Sequence, residues 1–133
     1  TTSTHAIAAS LNPQLPYDPV KDFTHVAMMG VAPYALVVNN DLPAKNVAEL
    51  IALAKARPAP LTYSTVGPAS LAHLAGEMFK MMTGVDLVHV PYRGAGPAVI
   101  DVIGGQVQVT FASLPASIEH IKAGEIVCSL HRL

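Results

Sequence analysis

The sequence is poor in charged residues. Of its 133 residues only 13% are Asp, Glu, Lys or Arg, and the formal net charge is −1. The basic residues are scattered and form no run, so the composition indicates neither a nucleic-acid partner nor an anionic membrane surface. A charge content about half that usual for soluble domains favours a sheet buried on both faces, a sizeable interface, or a piece of something larger.

Cysteine is nearly absent as well. Cys128 stands alone, which excludes a disulfide within the chain, and we interpret it as a buried structural thiol. No apolar run approaches the roughly 20 residues of a membrane span. The first ten residues have neither the basic flank nor the apolar segment of a signal peptide.

Motifs for catalysis and cofactor binding are missing too. The sequence has no phosphate-binding loop ending in Gly-Lys-Ser/Thr, no Gly-x-Ser-x-Gly turn and no His-Glu-x-x-His pair. Its six histidines show no close metal-ligand spacing. The segment GAGPAV (94–99) half resembles a dinucleotide fingerprint, but Val99 stands where the third small residue belongs. We therefore expect no enzyme, no metal and no cofactor.

Apolar segments with strand and helix character alternate along the chain. Residues 1–20 are predicted to be loop and turn. Strands are predicted at 24–32, 34–40, 61–64, 86–92 and 106–112, with a last one in EIVCSL, and helices begin after residues 46, 70 and 96 and at 115. This order predicts an α/β domain with a mainly parallel sheet and helices on both faces.

Three helix starts support this order. Asn46, with Glu49 three residues later, forms a start resembling a capping box. The clearest helical period begins at Leu71 and is closed by Gly84. Pro97 fits the first position of the next helix.

The stretch YSTVGPASLAHL (63–74) joins a predicted strand to the clearest helix. Ligands of α/β sheets bind where strands end and helices begin, and the free N–H groups of a helix start attract anions. Thr65 and Ser70 add hydroxyl groups, and His73 lies one turn into the helix. The alternative, which the pattern alone favours, is a plain turn in which Ser70 caps its own helix and His73 hydrogen-bonds the loop.

The sequence resembles the substrate-binding proteins of tripartite tricarboxylate transporters, also called Bug proteins. The resemblance lies in LPYDPVKDF (15–23), in LPAKNVAELIALAKARP (42–58) and in the long run from LTYSTVG to HIKAG (61–124). The block HVPYRG, followed by GGQV (89–107), is the most specific part. The resemblance implies a periplasmic-binding-protein-like fold of type II, in which two domains close around a carboxylated metabolite.

That resemblance also implies site residues. The family holds the ligand carboxylate between one loop of each domain, chiefly through backbone N–H groups and hydroxyls. Its second-domain loop pattern falls on residues 65–73, the STHA segment resembles a first-domain segment that faces the cleft, and the residue after HVP lines the pocket. The implied ligand-binding residues are Ser3, Thr4, His5, Thr65, Val66, Gly67, Pro68, Ala69, Ser70, His73 and Tyr92.

This chain departs from the family pattern in four places. Residues 1–19 are expected to be a remnant of the first domain and its cleft segment, and residues 20–133 to be the second domain, truncated at its C-terminus. The tail EIVCSLHRL fits the family poorly, and a reading-frame shift or a truncated gene is our hypothesis for it. Ala69 replaces a frequent glycine, and Ala112 replaces an acid, which puts recognition of a ligand amino group in doubt.

The resulting prediction is a non-catalytic, carboxylate-binding receptor domain in the periplasm, weakened by truncation, whose partners are a small carboxylated metabolite and membrane permease subunits. The alternative is a ligand-free protein with an oligomerising or interaction role through exposed apolar surface, which includes a homo-oligomer. An enzyme has no nucleophile–base pair to support it. The effector domain of a transcription regulator has no DNA-binding segment to support it.

Overall fold

The computed structural model describes residues 2–128, apart from the side chains of Thr2, Thr4 and Ala8. The tail for which a reading-frame shift or a truncated gene is our hypothesis falls partly on residues 129–133, which lie outside the described part. The elements, in chain order, are α1 (Thr2–Leu11), β1 (Tyr34–Asn39), α2 (Val47–Ala56), β2 (Leu61–Thr65), α3 (Leu71–Thr83), β3 (Leu87–Pro91), α4 (Ala95–Ile103), β4 (Val109–Ser113), α5 (Leu114–Lys122) and β5 (Ile126–Cys128).

Five strands form one sheet in the order β3-β2-β4-β1-β5. β2 lies between β3 and β4 and runs parallel to both, whereas β1 is antiparallel to β4 and to β5. Four strands therefore point in one direction and β1 points in the other. The predicted α/β class is confirmed, and the reversed β1 makes the sheet mixed.

Helices cover both faces of the sheet, as predicted. On one face α2 and α3 pack over a cluster of buried side chains that includes Leu50, Tyr63 and Leu87. On the other face α4 and α5 pack over a second cluster that includes Val37 and Val102. Full burial of side chains of this size stabilises a fold by about 1.5–3 kcal/mol each, so the two clusters hold the sheet from both sides.

The two predicted caps form. The side chain of Asn46 accepts a hydrogen bond from the Glu49 N–H at 2.9 Å, and the Glu49 carboxylate accepts from the Lys45 N–H at 2.7 Å. At the C-terminal end of α3, Gly84 adopts the left-handed conformation with φ +68°. These caps satisfy N–H and C=O groups that the helix itself leaves free.

The prediction of loop and turn for residues 1–20 was wrong for its first half, because α1 occupies Thr2–Leu11. The sequence TSTHAIAASL lacks a clear apolar stripe but contains alanine at three positions, and alanine has the highest helix propensity. α1 contacts α3, so packing adds to that propensity.

The prediction of a strand at 24–32 was also wrong. This segment has no regular structure, and its apolar side chains are exposed, with Val26 at 94% and Met29 at 101% of full exposure. A strand needs a partner for its backbone groups, and within residues 2–128 the segment pairs with none. An apolar run alone does not supply that partner.

Two element boundaries near α4 also differ from the prediction. Pro97 is the third residue of the helix rather than the first, and proline is tolerated there because N–H groups of the first turn lack an intrahelical acceptor. β4 begins at Val109, later than predicted. The N–H groups of Gln106 and Val107 instead donate to the Asp101 carbonyl, at 3.0 and 3.2 Å, and close the end of α4.

None of the helices within residues 2–128 is both long enough and apolar enough to cross a membrane.

Close packing of α3 on the sheet gives a test of the fold. A Cβ atom added at Gly76 would overlap the ring of Tyr63, which is completely buried. We expect Gly76→Ala to lower the free energy of unfolding by about 1–3 kcal/mol, measured by urea denaturation. The matched control is Gly96→Ala in α4, where an added Cβ meets nothing within 4 Å. Equal urea midpoints for the two variants would contradict this packing.

Candidate functional site

The ends of three strands and the starts of three helices meet at one edge of the sheet. β2, β3 and β4 run in the same direction and end at Thr65, Pro91 and Ser113. The helices that follow them, α3, α4 and α5, therefore begin at this edge. Because β1 runs the other way, it starts here, and its first residue, Tyr34, pairs with Ser113.

A small cavity of about 30 Å³ lies at this edge. That volume holds about one water molecule. Residues from β1, β2 and β4 and from the starts of α3 and α4 form its wall: Tyr34, Thr65, Val66, Ala72, Ala95, Ala98, Val99, Thr110, Phe111, Ala112 and Ser113. Among these described residues none carries a charge, and the polar groups on offer are hydroxyls and backbone N–H groups.

Gly67 and Ala69 turn the chain between β2 and α3. Both lie in the left-handed region, with φ +119° at Gly67 and φ +62° at Ala69. For a residue with a Cβ this conformation costs roughly 1–2 kcal/mol. The Gly67 carbonyl accepts a 2.7 Å hydrogen bond from Ser70 Oγ and closes the turn. The strain at Ala69 gives a physical reason for the glycine that is frequent here in the family the sequence resembles.

Ser70 caps α3, as the plain-turn alternative requires. Its Oγ accepts a hydrogen bond from the His73 N–H at 3.2 Å. The cap leaves other donors free, because the N–H groups of Leu71 and Ala72 are at the start of the helix and have no intrahelical acceptor. Ala72 lines the cavity, so the same helix start is both capped and part of the cavity wall.

Thr65 anchors the other end of the loop. Its Oγ1 accepts from the Gly67 N–H at 3.1 Å and lies 2.6 Å from Nε2 of His89. The ring of His89 stacks on the ring of His73 with centroids 4.3 Å apart. His73 in turn accepts a long hydrogen bond, 3.4 Å, from the Ala69 N–H through Nδ1. The predicted loop contact of His73 is present, and His89 is a neighbour that the sequence reasoning missed.

Next to His73 lies a polar cluster formed by side chains of α3 and β2. The Tyr63 hydroxyl donates to Glu77 Oε1 at 2.8 Å, and Lys80 Nζ donates to the same oxygen at 3.3 Å. Burial, followed by the bond to Glu77, raises the pKa of Tyr63. The bond from Tyr63 is the largest cause that lowers the pKa of Glu77. This cluster is a set of paired groups, with a protonated phenol and an ionised acid at neutral pH.

Tyr92 is held away from the cavity wall. Its hydroxyl donates to Asp101 Oδ2 on α4 at 2.6 Å, and its N–H donates to the Thr65 carbonyl at 2.8 Å. Burial, followed by the Asp101 bond, raises the pKa of Tyr92 to about 12. The side chain thus ties the loop after β3 to α4. The prediction that Tyr92 contacts ligand stays a prediction.

Three of the predicted ligand-binding residues, Ser3, Thr4 and His5, lie on α1, which does not line the cavity. The ring of His5 contacts those of Phe23 and Tyr17, with centroids 4.7 and 6.3 Å away, and its Nδ1 is buried without a hydrogen bond in the described structure. Ser3 is half-buried, and the side chain of Thr4 lies outside the described part. Their role in binding remains a prediction from the resemblance.

The structure thus brings part of the predicted set together. Thr65 and Val66 line the cavity, and Gly67, Pro68, Ala69 and Ser70 form the loop that leads from Val66 to α3. Sequence reasoning missed the further wall residues Tyr34, Ala95 and Ser113. Ser113 ends a strand directly before a proline-containing helix start, which was the one local signal.

Within residues 2–128 no three His, Cys, Asp or Glu side chains are grouped so that they could hold a metal ion.

Comparison with known proteins identifies relatives of this chain. A family model described as tripartite tricarboxylate transporter family receptor matches residues 1–130. Protein BugT of Bordetella pertussis is 39% identical over 121 residues, which are 91% of this chain and 37% of BugT.

Two solved structures with bound ligands are similar in fold. Rpa4515 of R. palustris, solved with adipate, is 43% identical with a TM-score of 0.79, over 84% of this chain and 38% of that one. MatC of Rhodopseudomonas palustris, solved with bound malate, is 26% identical with a TM-score of 0.86, over 97% of this chain and 44% of that one. The chain therefore spans less than half the length of the relatives it matches.

Strain at Ala69 gives a test of the loop geometry. We expect Ala69→Gly to raise the free energy of unfolding by about 0.5 kcal/mol, because relief of the left-handed strain exceeds the added entropy of the unfolded chain. The control is Ala52→Gly on the exposed face of α2, where glycine should cost about 1 kcal/mol. Urea denaturation measures both, and similar destabilisation by the two changes would rule out the strained loop.

Proposed function

The chain belongs to the tripartite tricarboxylate transporter receptor family, and on that premise we propose that it forms one wall of a site for a carboxylated solute. The family is one of receptors rather than enzymes, which agrees with the expectation that the chain is not an enzyme. The proposed site is the carboxyl edge of the sheet, at the cavity and the 65–70 loop.

The observation that carries this proposal is an uncharged cavity at the edge of the sheet where three helices start, two of which line it. Each helix start carries roughly half a positive charge, and its free N–H groups point outward. α3, α4 and α5 begin at the same edge, and hydroxyls of Thr65 and Ser113 lie among them. Alanine at positions 72 and 95 leaves room for an anion to approach the backbone. Such a site favours a carboxylate without an Arg or Lys.

The proposed ligand is a small carboxylated metabolite. MatC holds malate and Rpa4515 was solved with adipate, two dicarboxylates of different chain length. In this proposal the wall recognises one carboxylate through backbone N–H groups, and other residues contact the rest of the ligand. Dicarboxylates of different chain length can then bind to the same wall.

The described wall encloses a volume of only about 30 Å³, too small for a dicarboxylate. We therefore propose that a second surface completes the site, in the manner of a clamshell that closes around its ligand. In this proposal residues 20–133 form one half of the clamshell, and residues 1–19 belong to the segment that faces the cleft. A periplasmic location and delivery of the ligand to membrane permease subunits belong to the same proposal.

A titration tests the wall. We expect the 133-residue chain to bind malate or adipate only weakly, with a dissociation constant of about 1 mM or above, because each water-exposed hydrogen bond contributes about 1 kcal/mol. Amide chemical shifts in the 65–72 region, followed by NMR, should report this binding. Ser70→Ala should weaken it severalfold, whereas Ser10→Ala on the exposed face of α1 should not.

Two outcomes of that titration count against the proposal. One is micromolar affinity for the isolated chain, which would show that one wall suffices. The other is a set of shifts that ignores the 65–72 region or responds equally to the Ser70 and Ser10 changes.

The second candidate function is self-association through apolar surface. Val26 and Met29 of the 24–32 segment are almost fully exposed, and Met81 and Met82 on α3 are exposed by 85% and 81%. Exposed apolar groups in such number are typical of surfaces that another protein covers. Light scattering at increasing concentration should then show dimers or larger species, and a strict monomer at high concentration argues against this role.

A further inference from the structure

Two histidines from different elements meet beside the proposed binding loop. His73 is one turn into α3, and His89 is in the middle of β3, next to β2. We propose that they are positioning residues: as a neutral stacked pair they hold the two ends of the 65–70 loop, and acidification releases the end at Ala69. The inference rests on the proposed function for what the loop binds, but not for how the loop is held.

Each histidine contacts one end of the loop. At the first residue, Thr65 Oγ1 lies 2.6 Å from Nε2 of His89 and also accepts from the Gly67 N–H. Near the other end, the Ala69 N–H donates to Nδ1 of His73 at 3.4 Å. The rings lie 4.3 Å apart at an angle of 26°, so the position of one ring constrains the other.

The direction of these bonds fixes where protons can be. An N–H group donates, so Nδ1 of His73 is an unprotonated acceptor in the structure, and its proton is on Nε2, 4.0 Å from Glu77 Oε1. A proton added at Nδ1 removes that acceptor and places an N–H against the N–H of Ala69. The contact at Thr65 tolerates a donor on His89, because the Thr65 hydroxyl can then donate to the Gly67 carbonyl at 3.2 Å.

The groups around the pair come from α3 and β2. Glu77, hydrogen-bonded to Lys80 and to the Tyr63 hydroxyl, is the acidic group that faces the pair. α1 also contacts α3, but its titratable residue, His5, lies against Phe23 and Tyr17. Burial and then the facing His73 lower the pKa of His89, Glu77 opposes this shift, and Lys80 adds to it. Two stacked cations would repel, so this surrounding favours a pair with at most one positive charge.

Loss of the hydrogen bond from the Ala69 N–H to His73 allows the backbone of the loop to change its conformation. Ala69 is held at φ +62°, where alanine is strained by about 1–2 kcal/mol, and its N–H bond to His73 is long. Loss of that bond leaves the strain without compensation at Ala69, while Thr65 remains fixed by β2. A histidine whose protonation favours one of two loop arrangements is a known physical basis for pH response.

The experiment is an NMR pH titration of the ¹⁵N-labelled chain between pH 8 and 5, without ligand. We expect the Ala69 amide shift to change over this range. Protection of the Ala69 amide from hydrogen exchange should fall by about tenfold or more on acidification, because a proton at Nδ1 of His73 removes the acceptor of the Ala69 N–H.

His73→Gln tests the role of the ring, because glutamine keeps an acceptor but does not titrate. It should abolish the pH dependence of the Ala69 amide, and His25→Gln in the exposed 24–32 segment should leave it unchanged. The inference is overturned if the Ala69 amide of the folded wild type does not respond between pH 8 and 5, or if its response persists in His73→Gln. Since no ligand is present, a failure of carboxylate binding is seen separately, in the malate titration.

Discussion

The common direction of β2, β3 and β4 is the constraint on which the rest of the structure depends. Parallel strands end at one edge, so the helices that follow them all start at that edge, α3 on one face of the sheet and α4 and α5 on the other. Reversal of β1 adds Tyr34 to the same edge and leaves the three helix starts undisturbed. Each helix start carries a partial positive charge, which no basic side chain of the cavity wall supplies. The low charge of the sequence and an anion-binding edge are therefore compatible.

Local features were predictable because their causes are local. The Asn46 cap, the Gly84 end and the Ser70 cap each depend on residues within four positions of one another, and all three formed. α1 was missed because alanine propensity without an apolar stripe gave a weak pattern, and packing against α3 supplements it. The 24–32 segment shows the opposite failure, since its apolar pattern needs a partner strand that the local sequence does not specify.

Most of the site could not be predicted, because strand order and register decide it. His89 is near Thr65 only because β3 pairs with β2 in a register that aligns Tyr63 with His89. Ser113 and Tyr34 meet through the antiparallel pairing of β4 with β1. No spacing in the sequence encodes these pairings. The loop itself was predictable, because its small residues and helix start are contiguous.

The 65–70 loop combines two requirements that oppose each other. Closure of the turn needs left-handed backbone at Gly67 and Ala69, and alanine meets this need only with strain. Approach of an anion needs room beside the helix N–H groups, which the small side chains of Ser70 and Ala72 favour. The strained turn is stabilised by hydrogen bonds of Gly67 with Ser70 and Thr65 and of Ala69 with His73, and none of these bonds uses the N–H groups of Leu71 and Ala72. The plain turn and the proposed anion site, which the sequence presents as alternatives, are thus compatible with each other in one loop.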